Sequence, residues 1–215
     1  MSQAKFSANK AVVLLSGGVD STTLLYATER NGSLGGAVMC DYGQPAARRE
    51  LDCALKVVVE WELTHAKLQR HVCVLPVDSS VMRAGVGASG PRVLPGRNLL
   101  LVATAAMWAV RWGCWEVLIG ATADDHTAYA DCRAEWLLHL SAVMHAACGV
   151  YVSAPFSTLT KREVVALAKD LNVPLGRTWS CYEPTQTGKQ CGMCAACNET
   201  RKAGVPIAVP RAQIA

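Results

Sequence analysis

The sequence predicts an α/β domain, a parallel sheet with helices on both faces, followed by a small cysteine-rich C-terminal element. Three observations carry this. Short apolar runs alternate with stretches of helical periodicity, the pattern of a parallel sheet with crossover helices. The turn Leu15-Ser16-Gly17-Gly18-Val19-Asp20-Ser21 joins the first apolar run directly to the first helical stretch. Four cysteines, Cys181, Cys191, Cys194 and Cys197, crowd into one late segment with the spacing of a metal site. The expected division is residues 1–177 for the α/β domain and 178–215 for the C-terminal element.

Strands are expected at 11–15, 36–40, 71–77, 116–119 and 150–152, where apolar residues run without a helical period. Helices are expected between them. The first, 22–30, follows the glycine-rich turn. In 48–61, Leu51, Ala54, Leu55 and Val58 recur at i, i+3, i+4 and i+7, which defines one apolar face. The stretch 98–111 is apolar almost all round and is expected to be buried. Residues 135–147 are moderately amphipathic. In 161–171, Val164, Leu167, Ala168 and Leu171 share a face, and Thr160 with Glu163 has capping-box spacing.

At 215 residues, with 51% hydrophobic and 18% charged residues, the chain can bury a core without disulfides, and disorder is excluded. The net charge of +4 is scattered, compatible with anionic small molecules and too weak to indicate nucleic acid. The polar first ten residues do not resemble a secretory signal, and the longest apolar stretch, 99–110, is short of the roughly 18 residues that cross a bilayer. A cytoplasmic protein with no membrane partner is expected. Cys40, Cys53, Cys73, Cys114, Cys132 and Cys148 lie singly in apolar surroundings, as buried thiols do in a reducing compartment.

The glycine-rich turn is where ligand chemistry should lie. The N–H groups of the turn and of the helix's first residues lack partners and converge where the helix dipole is positive. Gly17 and Gly18 let the backbone approach a phosphate, while Ser16 and Ser21 add hydroxyls. A carboxylate there, Asp20, repels phosphate unless Mg²⁺ or another cation lies between. The spacing is not that of the common phosphate loop. It resembles the SGGxDS loop of the PP-loop ATP pyrophosphatases, which cleave ATP between the α- and β-phosphates.

Other segments extend the site. Asp41-Tyr42-Gly43-Gln44 follows the second strand and faces the same rim, either as a plain turn or as part of a nucleotide site. The spelling Gly85-x-Gly87-x-x-Gly90 matches a dinucleotide fingerprint, but no strand runs into it and Pro91 follows it, so 84–91 is expected to be a mobile loop, a lid. Arg97 at the mouth of an apolar helix wants an anion, and Asn98 is in place to be an N-cap. The polar stretch 120–133 holds Asp124, Asp125, His126, Asp131 and Arg133. Asp131 has the chemistry to accept two N–H bonds from a guanine-like edge or to cap the next helix. Arg133 can pair with a carboxylate or phosphate. Lys161 is either a surface residue or a point charge for phosphates. The C-x9-C-x2-C-x2-C pattern fits structural Zn²⁺ with no open coordination position; an iron–sulfur cluster or a redox Cys-Gly-Met-Cys pair compete.

The ordered set SGGVDS, DYGQ, PGRN, DCR before a helix, TK opening a helix, and TWSC followed by CGMCAAC resembles the QueC family over nearly the whole chain. The resemblance implies a PP-loop fold, adenine nucleotide alpha hydrolase-like and Rossmann-like. It implies ATP-dependent conversion of 7-carboxy-7-deazaguanine and ammonia to 7-cyano-7-deazaguanine (preQ0) through two adenylations, and a homodimer. Ser16, Gly17, Gly18, Asp20 and Ser21 would hold the pyrophosphate with Mg²⁺, in a nucleotide site running from Leu15 through Val19 to Thr22 with Asp41 and Gln44. Arg97 and Lys161 would neutralise phosphate charge, Asp131 and Arg133 would orient the deazaguanine, and the four cysteines would bind Zn²⁺. The sequence departs from the family pattern at Pro45 and Ala46, where a basic residue and His are usual, and at Ala130, where proline is usual. An enzyme that stops at the amide or modifies a different carboxylate or a tRNA base, and an inactive nucleotide-binding relative, are the rival readings.

Overall fold

The computed structural model describes residues 6–7, 9–62, 68–75, 77 and 96–207. The element order is β1 (Ala11–Leu14), α1 (Val19–Arg30), β2 (Leu34–Asp41), α2 (Ala47–Glu62), β3 (Arg70–Val74), α3 (Arg97–Arg111), β4 (Glu116–Leu118), α4 (Asp125–Ala128), α5 (Ala134–Cys148), β5 (Tyr151–Ser153), α6 (Lys161–Asp170) and α7 (Ala195–Lys202). The five strands form one sheet in the order β3-β2-β1-β4-β5. Every pairing in it is parallel. The residues 84–91, expected as a lid, lie outside the described residues.

Strand alternation sorts the core into two layers. Val13, Leu15, Ala37, Met39 and Leu118 face α1, α2 and α6. Val12, Val38, Val117 and Val152 face α3 and α5. Because both faces of β1 are covered, Ala11, Val12 and Val13 are at most 1% exposed, and an unbroken apolar run is what such a strand requires. The sheet order reverses direction beside β1, so the carboxyl ends of β1, β2 and β4 open a crevice at the switch point.

Three sequence expectations change. Helix α3 buries Val102, Thr104, Ala105, Ala106 and Ala109, but Leu99, Met107 and Val110 are exposed, so it is apolar all round without being buried all round. The buried stripe of α2 is Ala47, Ala54, Val57, Val58 and Trp61, while Leu55 faces solvent; the helix is rotated relative to the face read from periodicity. Cys148 is exposed, and Cys40 and Cys73 are register partners rather than solitary thiols.

Candidate functional site

The turn between β1 and α1 is organised by its own hydrogen bonds. Ser21 Oγ accepts from Ser16 N–H at 3.1 Å and lies 3.0 Å from Ser16 Oγ. Ser16 Oγ accepts from Gly18 N–H at 3.3 Å. Gly17 adopts φ +77°, and a Cβ there would stand 2.5 Å from the Glu50 carbonyl oxygen, so both conformation and space demand glycine. The short hydroxyls of Ser16 and Ser21 fold back onto the turn, which leaves it compact and concave.

Asp20, in the first turn of α1, is ion-paired with Lys161 Nζ at the start of α6. The cation that the sequence demanded beside Asp20 is therefore supplied in part by the chain itself. Burial raises the Asp20 carboxyl above its ordinary range, and Lys161 pulls it back only partly. Among the described residues Asp20 Oδ1 is buried with no hydrogen-bond partner, the kind of oxygen that suits a further cation. Lys161 is positioned from behind: its backbone N–H donates to Asp124 Oδ2 at 2.7 Å, and Thr160 and Glu163 form the predicted capping box.

The turn borders an open cleft of about 240 Å³. Leu15, Ser16, Gly18, Asp20 and Ser21 of the turn line it, with apolar Leu14, Val38, Cys40, Leu101 and Ile119; Tyr42, Gln44, Glu50, Arg97, Asn98 and Tyr182 add a polar wall. Gln44 is fixed by three bonds. Its Oε1 accepts from Tyr42 N–H at 2.9 Å, and its Nε2 donates to Glu50 Oε2 at 2.8 Å and to the Cys40 carbonyl at 3.3 Å. Burial works against the Arg97 charge, yet Tyr42, Tyr182 and Asp131 more than offset it, so the guanidinium stays cationic. Among the described residues Arg97 makes no carboxylate ion pair within 4 Å. Burial, reinforced by Cys73, pushes the Cys40 thiol up to about 12, and burial with Asp125 and Asp131 does the same to Cys132. Both cleft thiols are neutral walls and not nucleophiles.

Not every expected site residue reaches this cleft. Asp41 does not line it; its Oδ1 accepts from Gly43 N–H at 3.0 Å and shapes the rim turn. Asp131 and Arg133 lie outside the lining as well. The Asp131 carbonyl accepts from Asn98 Nδ2 at 3.2 Å, and the exposed Arg133 donates from Nε to the His126 carbonyl at 3.2 Å. Asn98 is thus a tether and not the N-cap, which is Gly96 at φ +73°. Tyr42 and Asp125, from the two polar segments marked in the sequence, line the wall, and Glu50 and Tyr182, not singled out from sequence, complete it. Glu50 had a readable signal, since it lies on the same helical stripe as Ala47, Ala54 and Val57, where a carboxylate is out of place.

The sulfurs of Cys181, Cys191, Cys194 and Cys197 lie within 4.8 Å of one another. Four thiolates about 2.3 Å from a central Zn²⁺ would be about 3.8 Å apart, so slight contraction closes the set around a metal ion. Although burial opposes it, N–H bonds from Met193 and Cys194 draw the Cys191 thiol down to about 7. The cluster is tied to the glycine-rich turn. Trp179 N–H donates to the Gly17 carbonyl at 2.8 Å, and Trp179 Nε1 donates to the Cys181 carbonyl at 2.7 Å.

A parallel sheet carrying a serine- and glycine-rich anion turn at its switch point defines a nucleotide-site α/β protein, and comparison places it further. The family model described as queuosine biosynthesis protein QueC matches residues 10–207, and the chain belongs to that family. It is 33% identical to the 7-cyano-7-deazaguanine synthase of Geotalea daltonii, over 94% of this chain and 96% of the relative. It is 35% identical to the synthase of the same name from Archaeoglobus fulgidus, over 90% of this chain and 85% of the relative. Among solved structures, the U34-tRNA thiolase NcsA from Methanococcus maripaludis with its 4Fe-4S cluster shares the fold at TM-score 0.55 and 17% identity. That match covers 79% of this chain and 59% of NcsA. A 4-thiouridine synthetase, solved with RNA and bound ATP, matches at TM-score 0.56 and 23% identity, over 77% of this chain and 41% of the synthetase. Among the described residues no helix is long and apolar enough to cross a membrane.

Proposed function

We propose that the chain is an AMP-forming carbon–nitrogen ligase and nitrile synthase of queuosine biosynthesis, converting 7-carboxy-7-deazaguanine and ammonia to 7-cyano-7-deazaguanine at the expense of ATP. The observation that carries this is one cleft holding two cationic or donor-rich groups: the Ser16–Ser21 turn and the Arg97 guanidinium, which among the described residues has no carboxylate ion pair within 4 Å. ATP needs the first, and a carboxylate to be joined to its α-phosphate needs the second. The family membership and the names of the full-length relatives support the same substrate.

In this reading the substrate carboxylate displaces pyrophosphate from the α-phosphate, ammonia displaces AMP, and the amide oxygen is adenylated in turn so that it leaves as AMP. The chain's residues supply position and charge. Ser16, Gly17, Gly18, Val19, Ser21 and Thr22 form the pyrophosphate cradle, where the α1 dipole favours the anion, and the Ser16 and Gly18 N–H groups exchange their serine hydroxyl acceptors for phosphate oxygens. Arg97 offers a two-pronged donor to the substrate carboxylate, and Lys161, paired with Asp20, adds positive charge. Asp20 Oδ1 suits Mg²⁺, which would neutralise phosphate charge when bound. Asp131 and Arg133 belong to the rim, placed to meet the heterocycle if the loop turns inward, and Asp41 with Gln44 shapes the nucleotide side. The four cysteines would hold Zn²⁺ and clamp the element from residue 178 onward. We place the protein in the cytoplasm with a second copy of itself as partner, for which Leu99, Met107 and Val110 of α3 offer an apolar surface.

Incubation with ATP, ammonium and 7-carboxy-7-deazaguanine, followed by mass spectrometry, tests the reading. Nitrile with two AMP per product is expected. No acid-dependent AMP release overturns it. One observation favours a second reading, in which the reaction ends at the amide. Where the family usually has a basic residue and His, Ala46 is buried, with its carbonyl capping α2 through Arg49 and Glu50 N–H at 2.9 Å each. Amide with one AMP is its signature.

A further inference from the structure

Resting on that reading, both nitrogen-transfer steps need something the anion sites do not provide: a group that takes protons from nitrogen. Ammonia adding to an acyl-adenylate must lose one proton as AMP departs with the C–O electron pair. The adenylated amide must lose two, the second as C≡N forms and AMP leaves.

Three carboxylates line the cleft, Asp20, Glu50 and Asp125. Asp20 is committed to Lys161. Asp125 Oδ2 accepts from both the N–H and the hydroxyl of Thr122 at 2.8 Å each. Glu50 has neither a lysine partner nor a capping duty, and it differs from both in its place. Its Oε2 is held by the Gln44 amide at 2.8 Å, which leaves Oε1 free among the described residues. Its backbone abuts Gly17 while its carboxyl feels the Arg97 charge, so it occupies the wall between the phosphate turn and Arg97. That is where the α-phosphate and the reacting carbon must meet. Gln44 cannot rotate away without breaking its bonds to Tyr42 and Cys40, which keeps the Glu50 orientation fixed.

We propose that Glu50 is the proton acceptor for both steps: it takes a proton from the nitrogen as ammonia displaces AMP, a second once the amide oxygen has been adenylated, and a third as the resulting imidate collapses to the nitrile and AMP leaves. Each proton passes to water before the next is taken, so the carboxylate is regenerated every time. Its environment suits the task, because burial raises the carboxyl above its usual range and so strengthens it as a base, while Gln44 and Arg97 only partly restore it.

The test is Glu50→Gln, which keeps shape and the Gln44 contact but cannot accept a proton. With ATP and the acid substrate alone, the variant should release pyrophosphate at the wild-type rate. With ammonium added, amide formation should fall by about 10²- to 10⁴-fold, the usual worth of a general base. Hydroxylamine, a weaker base and better nucleophile, should still trap the acyl-adenylate as the hydroxamate at the wild-type rate. Should Glu50→Gln fail to fold, Glu50→Asp keeps the carboxylate and should show the same split, less severely. Pyrophosphate release and amide formation falling together, or amide formation unchanged, would overturn the role. A wild-type enzyme that releases no pyrophosphate overturns the parent reading as well, and the control reaction separates that failure from this one.

Discussion

The Ser16–Ser21 turn and the Cys181–Cys197 cluster are the two sharpest signals in the chain, and they differ in what holds them together. The turn is organised by hydrogen bonds of its own, with Ser16, Gly18 and Ser21 satisfying one another and Gly17 fitted against α2. Nucleotide binding therefore meets a formed site and pays little reorganisation. The cluster gathers four sulfurs within 4.8 Å, where a few N–H bonds to Cys181 and Cys191 and the packing of Trp179 and Ile207 hold them. Cys181 and Cys197 are buried, and on the proposed function a cation bound among the four thiols adds most of what holds this segment folded. One site is shaped by the backbone; the other, on that proposal, is shaped by its ligand. The Trp179 bond to Gly17 then makes the second a support for the first.

The strongest way to break this contrast is Cys194→Ser or exhaustive chelation. Structural zinc contributes roughly 10–16 kcal/mol of apparent binding energy in small domains, so even a fraction of that is a large loss. We expect loss of bound metal by elemental analysis, a markedly lower Tm, and weaker ATP binding through Trp179. Normal metal content would refute the cluster's assignment, and unchanged ATP affinity would uncouple the two regions.

Gly17→Ala attacks the other side. A left-handed non-glycine residue costs about 1–2 kcal/mol, and the contact with the Glu50 carbonyl adds to that. Stability should drop by roughly 2–3 kcal/mol in denaturant titration, with pyrophosphate release abolished. A turn that tolerates alanine is not preformed as described.

Lys161→Met sharpens the comparison by separating stability from chemistry. It strands Asp20, costing about 2–3 kcal/mol, less than a wholly buried pair because both side chains keep some exposure. Adding Asp20→Asn should restore most of the stability and none of the ATP cleavage. Recovery of both would make the pair structural only.

Thr160→Ala is the mildest change. Loss of the cap should cost about 1 kcal/mol, seen as a small Tm decrease with ATP binding nearly intact. The capping box also carries a pH signature. Its hydrogen bonds hold the Glu163 carboxyl below its ordinary range, so the stabilisation is present above the unfolded value and fades as pH falls through the lower folded one. In Thr160→Ala the acid limb of a Tm-against-pH curve should flatten.

Local features were legible because their physics is local. Strand and helix order, the glycine-rich turn, the Thr160–Glu163 box and the cysteine spacing depend on neighbours a few residues apart. The cleft's polar wall was legible only in part. Gln44 and Arg97 were marked in the sequence, but Glu50 and Tyr182 were not, and only the fold brings the four together. Glu50 was missed because the apolar face of α2 was phased on Leu51, Ala54, Leu55 and Val58, whereas packing turns the helix toward Ala47, Ala54 and Val57. Asp131 and Arg133 were singled out for their hydrogen-bonding chemistry and their motif, and neither says which way a loop turns.

By itself, then, the sequence determined the fold class, the serine- and glycine-rich turn and the gathering of four thiols, because each follows from periodicity, backbone freedom or donor chemistry within short stretches. Only the tertiary structure decided that Lys161 answers Asp20 across 141 positions and that the C-terminal element leans on Gly17. It alone decided, too, that Glu50 shares a cleft with Arg97. Those pairings are set by how crossover helices pack on a parallel sheet, and that arrangement has no counterpart in local residue order.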